Sequence, residues 1–194
     1  MARDNKKPQE VELIWKVVDF ITNIHPNEIK KASKEFQKID NTKLGREAYE
    51  RELLAWFLLK RNIKGATPME YAYSFPLDFF TREDKEIIKN FINYIESFFE
   101  VAKISKDKKD YEIVDITSNK RYLIKTIDFP DVLQEKGFIR ALIVKKGNHY
   151  FFYGNVAQYT KKEEKRLKKE ILSGYYAHKK RESLEIKWDI EYFK

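Results

Sequence analysis

Nine basic residues against three acidic ones crowd between Thr160 and Arg181. Six of the cations, Lys161, Lys162, Lys165, Arg166, Lys168 and Lys169, fall within one short helical segment. Cations in such a row can lie along a phosphate backbone and contribute salt-dependent affinity. They also make an ordinary solvated face, with Leu167, Ile171 and Leu172 as anchors and Glu164 and Lys168 as an i,i+4 pair. A second cluster, His149-Tyr150-Phe151-Phe152-Tyr153, follows Lys145 and Lys146. In a strand, Tyr150 and Phe152 face one way and Phe151 and Tyr153 the other. An uncovered face would offer rings for base stacking beside two lysines. Helical segments flank this region on both sides in the sequence, however, and predict that both faces are covered.

Other chemistries lack their residues. With no cysteine there is no disulfide, no thiolate zinc site and no thiol nucleophile. His25, His149 and His178 stand far apart and none has HExxH-like spacing. The six glycines never cluster into a phosphate-cradling loop, and no serine sits in a nucleophile-elbow sequence. Asp110 and Glu112 could be drawn as an acid and base pair, but their turn context predicts solvated carboxylates, and a catalytic acid needs burial or a charged neighbour. No catalytic, cofactor-binding or metal-ligating residue is assigned, and no cofactor is expected.

Composition narrows the class further. At 194 residues, with 42% hydrophobic and 15% aromatic side chains, the chain can bury a core despite a mean hydropathy of -0.67. The formal charge of +8 is unevenly spread: residues 1–97 hold 17 Lys+Arg against 16 Asp+Glu, and residues 98–194 hold 22 against 15. A local basic excess attracts polyanions, although Lys/Glu-rich surfaces also serve solubility. Residues 1–10 lack the apolar run of a signal peptide, and Leu53–Leu59 is far shorter than the roughly 20 residues that span a bilayer. A soluble, cytoplasmic protein with no membrane contact is expected.

The elements that would position these residues are legible from periodicity. Val11, Ile14, Trp15, Val18 and Ile21 follow helical spacing. Pro26 suits the first turn of a second helix that carries Ile29, Ala32 and Phe36 inward. A third helix, from about 43 to 61, contains the ELLAWFLL run and belongs at the centre of a bundle, and Gly65 closes that region. Thr67-Pro68-Met69-Glu70, Thr81-Arg82-Glu83-Asp84 and Thr160-Lys161-Lys162-Glu163 each have capping-box spacing. The second of these opens a helix with one apolar stripe, Ile87, Ile88, Phe91, Ile92, Ile95, Phe98 and Phe99. After residue 98 the period changes, and five short strands separated by polar turns predict a small barrel or bent sheet. The basic helix runs from 161 to about Leu172, where Gly174 stops it. Leu184, Ile186, Trp188, Ile190 and Tyr192 then alternate as in a half-buried terminal strand. The reading is α+β: a helical region over residues 1–97, then over 98–194 an SH3- or OB-like barrel or bent antiparallel sheet, a basic helix and a terminal strand.

ELLAWFLLKRNIKGATPMEYAY, FFEVAKIS and the segments YEIVDITSNKRYLI and GFIRALIVKKGNHYFFYGNV resemble a group of prokaryotic proteins, many of which end in the zinc-binding SEC-C motif. The matching residues are Trp56, Leu58, Leu59, Gly65, Thr67 and Pro68, and the resemblance covers residues 50–160. It implies a helical segment followed by a small β unit. The cysteines of the SEC-C tail are absent here, so the zinc binding and tail contacts of that group do not carry over.

Three classes of function follow. The first is a non-enzymatic binding or adaptor module that contacts a protein partner or itself through aromatic surfaces and the edge of the terminal strand. The alternative is nucleic-acid binding by the C-terminal half, with Lys145, Lys146, Tyr150, Phe152, Lys161, Lys162, Lys165, Arg166 and Lys169 as contacts. The third is an enzyme whose site is assembled by the fold.

Overall fold

The computed structural model describes residues 8–39, 45–125 and 133–192. In chain order these form α1 (Gln9–Ile24), α2 (Glu28–Ile39), α3 (Arg46–Leu59), α4 (Pro68–Ser74), α5 (Arg82–Ile92), β1 (Ile95–Ile104), β2 (Asp110–Asp115), β3 (Arg121–Lys125), β4 (Phe138–Lys146), β5 (His149–Tyr159) and α6 (Lys161–Tyr192). The fold is α+β, with helices first, then a sheet, then a final helix. No described helix is long and apolar enough to cross a membrane.

Helix starts follow the capping chemistry. Thr67 Oγ1 accepts from the Glu70 N–H while Glu70 accepts from the Thr67 N–H at 2.7 Å. Thr81 and Asp84 exchange the same pair of bonds at 3.1 and 3.0 Å, and so do Thr160 and Glu163. Each box satisfies two N–H groups that the first helical turn leaves orphaned. The start of α2 differs from expectation. Pro26 sits in the preceding turn, Asn27 takes a left-handed φ of 72°, and the helix begins at Glu28. Ala32 and Phe36 point inward from it, whereas Ile29 stays exposed.

The chain divides into two compact units, residues 1–95 with 142–155, and residues 96–141 with 156–194. A β4–β5 segment, residues 142–155, thus groups with the helices. In the first unit, Leu13, Val17 and Ile21 of α1, Phe57 and Leu58 of α3, Met69 and Ala72 of α4, and Ile88 and Phe91 of α5 form one buried cluster with Leu142 and Val144 of β4. Arg61, just past α3, ties α2 to this core: its guanidinium lies 2.7 Å from both Glu28 and Glu35. In the same unit, β5 approaches α3 closely at Gly154, a position whose backbone favours glycine. Gly154 has φ +74°, and a Cβ there would stand 3.1 Å from the Ala55 Cβ. Asn155 completes this contact by donating from its N–H to Glu52 and from its side chain to the Ala48 carbonyl.

The five strands close into a barrel in the non-sequential order β1-β2-β3-β5-β4. β1 pairs antiparallel with β2, setting Phe99 opposite Asp115 and Val101 opposite Ile113, with a register shift between Val101 and Lys103. β2 pairs antiparallel with β3. Phe99, Val101, Ile113 and Ile124 are fully buried, as the alternation of a sheet with one inner face requires. Asp115 organises the β2–β3 turn by accepting from the N–H groups of Thr117 and Ser118, each at 2.8 Å.

Two elements correct the sequence reading. α5 ends at Ile92, where Asn93 returns its side chain to the Lys89 carbonyl. Ile95, Phe98 and Phe99, expected on the helical stripe, lie in β1 instead. The terminal strand does not form: α6 runs without a break from Lys161 to Tyr192, 32 residues or about 48 Å. Gly174 does not stop it, because a glycine inside a long helix costs only about 0.5–1 kcal/mol relative to alanine.

Candidate functional site

α6 has two faces, and the 100° rotation per residue separates them. Glu164, Leu167, Lys168 and Ile171 fall within one arc and are half-buried. Lys162, Lys165, Arg166 and Lys169 fall within the opposite arc and are exposed. The inner face is held to its own unit by Lys168, whose Nζ lies 2.8 Å from Glu164 and 2.9 Å from Glu100 of β1. The same ammonium stands 5.5 Å from the ring centroid of Phe138, in cation–π range. Phe138 in turn stacks with Phe98 at 5.6 Å and meets Tyr159 at 5.8 Å. Burial works against the charge on Lys168, but the hydrogen bonds it donates to Glu164 and Glu100 outweigh it and raise its pKa above the ordinary lysine value.

These contacts sort the six cations of residues 161–169. Lys168 is committed to the fold. Lys161 is engaged as well, donating to Glu164 and to the Lys136 carbonyl, each at 2.8 Å. Through Lys161 first, and then Lys168, the Glu164 carboxyl is held below its usual pKa. Arg166 keeps a long contact of 3.8 Å with Glu170 on the exposed surface. Among the described residues, Lys162, Lys165 and Lys169 have no hydrogen-bonding or ion-pairing partner. Their spacing of three and four residues sets them in a row along the outer face. Tyr176, which sequence reasoning passed over, continues the row: it lies seven residues beyond Lys169 and is 64% exposed. The signal was available as the same heptad spacing, hidden by the expectation that the helix ended at Leu172.

The other predicted contacts belong to the other unit. Lys145 is exposed on β4, but Lys146 is paired with Glu10 at 2.7 Å. Tyr150 is half-buried. Phe152 is only 9% exposed and so presents no stacking surface. Phe151 and Tyr153 pack against the helical core, with ring centroids 6.0 and 5.1 Å from that of Phe91. Burial pushes the Tyr153 hydroxyl well above the ordinary tyrosine pKa. The aromatic strand is thus a wall of the core and not an open platform.

Two apolar features of the first unit also escaped the sequence reading. The α4–α5 connection exposes Phe75, Leu77 and Phe79, and Lys85 seats its ammonium on the carbonyls of Ala72, Tyr73 and Phe75. Five aromatic residues in positions 71–80 were the missed signal. A groove of about 530 Å³ between α1, α2 and α3 is lined by Trp15, Val18, Ile29, Leu53, Leu54 and Phe57. Among the described residues no three His, Asp or Glu side chains are grouped to hold a metal ion. Compared with protein-family models, with curated proteins and with solved structures, the chain matches none.

Proposed function

We propose that the chain binds nucleic acid through the outer face of α6. One observation carries this reading: Lys162, Lys165 and Lys169 form an exposed row with no partner among the described residues, while Lys161 and Lys168 on the same helix are neutralised by carboxylates. Each unpaired ammonium can replace a counterion on a phosphate, and release of those counterions supplies affinity without a base-specific contact. The opposite face of the helix, anchored by Lys168 on Glu100 and Phe138, holds the row in place. The strand-edge argument for self-association falls away, since the terminal segment is helical and the barrel is closed.

The test is a fluorescence-anisotropy titration of fluorescein-labelled 20-mer DNA and RNA at 50 mM salt. Lys162→Glu, Lys165→Glu and Lys169→Glu combined are expected to abolish binding while circular dichroism stays unchanged. Binding that survives the triple reversal would overturn the reading. A protein partner is the second reading, favoured by the exposed Phe75, Leu77 and Phe79, since apolar patches of this kind often mark interaction surfaces.

A further inference from the structure

Resting on that reading, we infer that the ligand of α6 is single-stranded nucleic acid and that Tyr176 stacks on one of its bases. Tyr176 lies on the same arc of the helix as Lys162, Lys165 and Lys169, about 10 Å along the axis from Lys169 at 1.5 Å per residue. At 64% exposure it is the most exposed large hydrophobic side chain described, more so than Trp15 at 51% or Leu77 at 52%. Tyr175, half-buried, meets its ring edge-on with centroids 5.7 Å apart. Placed at the end of a row of unpaired cations, Tyr176 has the arrangement that single-strand binders use: charges that follow the backbone and a ring on which an unpaired base can lie. A duplex offers that ring no partner, because its bases are already stacked on one another. The phosphates would be common to both ligands, and the ring is what distinguishes them.

The probes are fluorescein-labelled (dT)20 and a 20-base-pair duplex, titrated at 50 mM salt against wild type, Tyr176→Ala and Tyr176→Phe. Stacking on one base predicts that Tyr176→Ala weakens (dT)20 binding about tenfold and leaves duplex binding within twofold. Tyr176→Phe keeps the π-face and is expected to bind like wild type. Equal weakening of both probes by Tyr176→Ala, or none, would overturn this inference while leaving the lysine row intact. Duplex bound more tightly than (dT)20 by the wild type would overturn it as well. If wild type binds neither probe, the nucleic-acid reading itself fails and this inference with it.

Discussion

The salt dependence of binding counts phosphate contacts, and sequence and structure give different counts. The six cations of residues 161–169 would displace counterions from six phosphates, for a slope of log affinity against log salt of about −4.2 at 0.7 per contact on a single strand. The structure withdraws Lys161 and Lys168, held by Glu164 and Glu100. Within residues 161–169 that leaves Lys162, Lys165, Lys169 and the loosely paired Arg166, and a slope of about −2.8 from this segment. Between 50 and 200 mM salt the wild type is then expected to lose roughly 50-fold in affinity, against roughly 300-fold for six contacts. Replacing Lys162, Lys165 and Lys169 by glutamine removes three contacts and is expected to make the slope shallower by about 2.1. The assay is anisotropy of labelled (dT)20 at five or six salt concentrations. A wild-type slope of −4 or steeper would mean that cations beyond these four reach the ligand, and would refute the count. A slope near zero would remove phosphate from the account altogether.

Three further outcomes test the fold that carries this site. Gly174→Ala is expected to raise stability by about 0.5–1 kcal/mol, because nothing lies within 4 Å of the added methyl and the position is helical; a loss in urea melts would mean that α6 breaks there. Gly154→Ala is expected to lower stability by about 1–3 kcal/mol, through its φ of +74° and the approach of Ala55 and Glu52; an unchanged thermal midpoint would refute the close contact. Arg61→Met is expected to cost about 3 kcal/mol at pH 7, the low end for breaking a buried ion pair, because the Glu35 side chain is 48% exposed and screened. The same variant carries a pH signature. Hydrogen bonding from Lys31 and then Arg61 lowers the Glu28 pKa against the opposing effect of burial, and Arg61 chiefly lowers that of Glu35. Carboxylates with lowered folded-state pKa values stabilise above their unfolded value of about 4.3 and lose that contribution as pH falls through the folded one. The gap between wild type and variant in urea melts should therefore narrow from pH 7 to pH 3, and a constant gap would refute the ion-pair account.

Features written in adjacent residues were legible in the sequence. The three capping boxes each need only a threonine and an acid three positions on, and all three form as read. The barrel strands announced themselves by β-branched and aromatic runs between polar turns. What failed depended on distant partners or on ambiguous periods. Ile95 and Phe99 fit a helical stripe from Ile87 as well as the alternation Phe99–Val101, and only the pairing of β1 with β2 decides between them. Residues 184–192 alternate, but Leu184, Trp188 and Tyr192 also keep the i,i+4 spacing of a helix. The cationic row was visible only as an excess of lysine. Which lysines are unpaired depends on Glu100, 68 residues from Lys168, and no local pattern foretells that. The aromatic strand 149–153 was read as covered, and Phe91 of α5 is part of what covers it.

The assignment of residues 142–155 to the helical unit has a consequence for how the chain is made. Leu142 and Val144 fill the core built by α1, α3, α4 and α5, and Phe151 and Tyr153 pack against it. During synthesis the helices are complete at residue 95, yet the segment that closes their core ends some 60 residues later. At about 5–20 residues per second this is an interval of roughly 3–12 s. Over that interval a nascent chain carries five helices whose apolar faces have no lid. A ribosome stalled near residue 100 should therefore display a protease-sensitive, chaperone-binding intermediate, and one stalled well past residue 155 a protected helical unit.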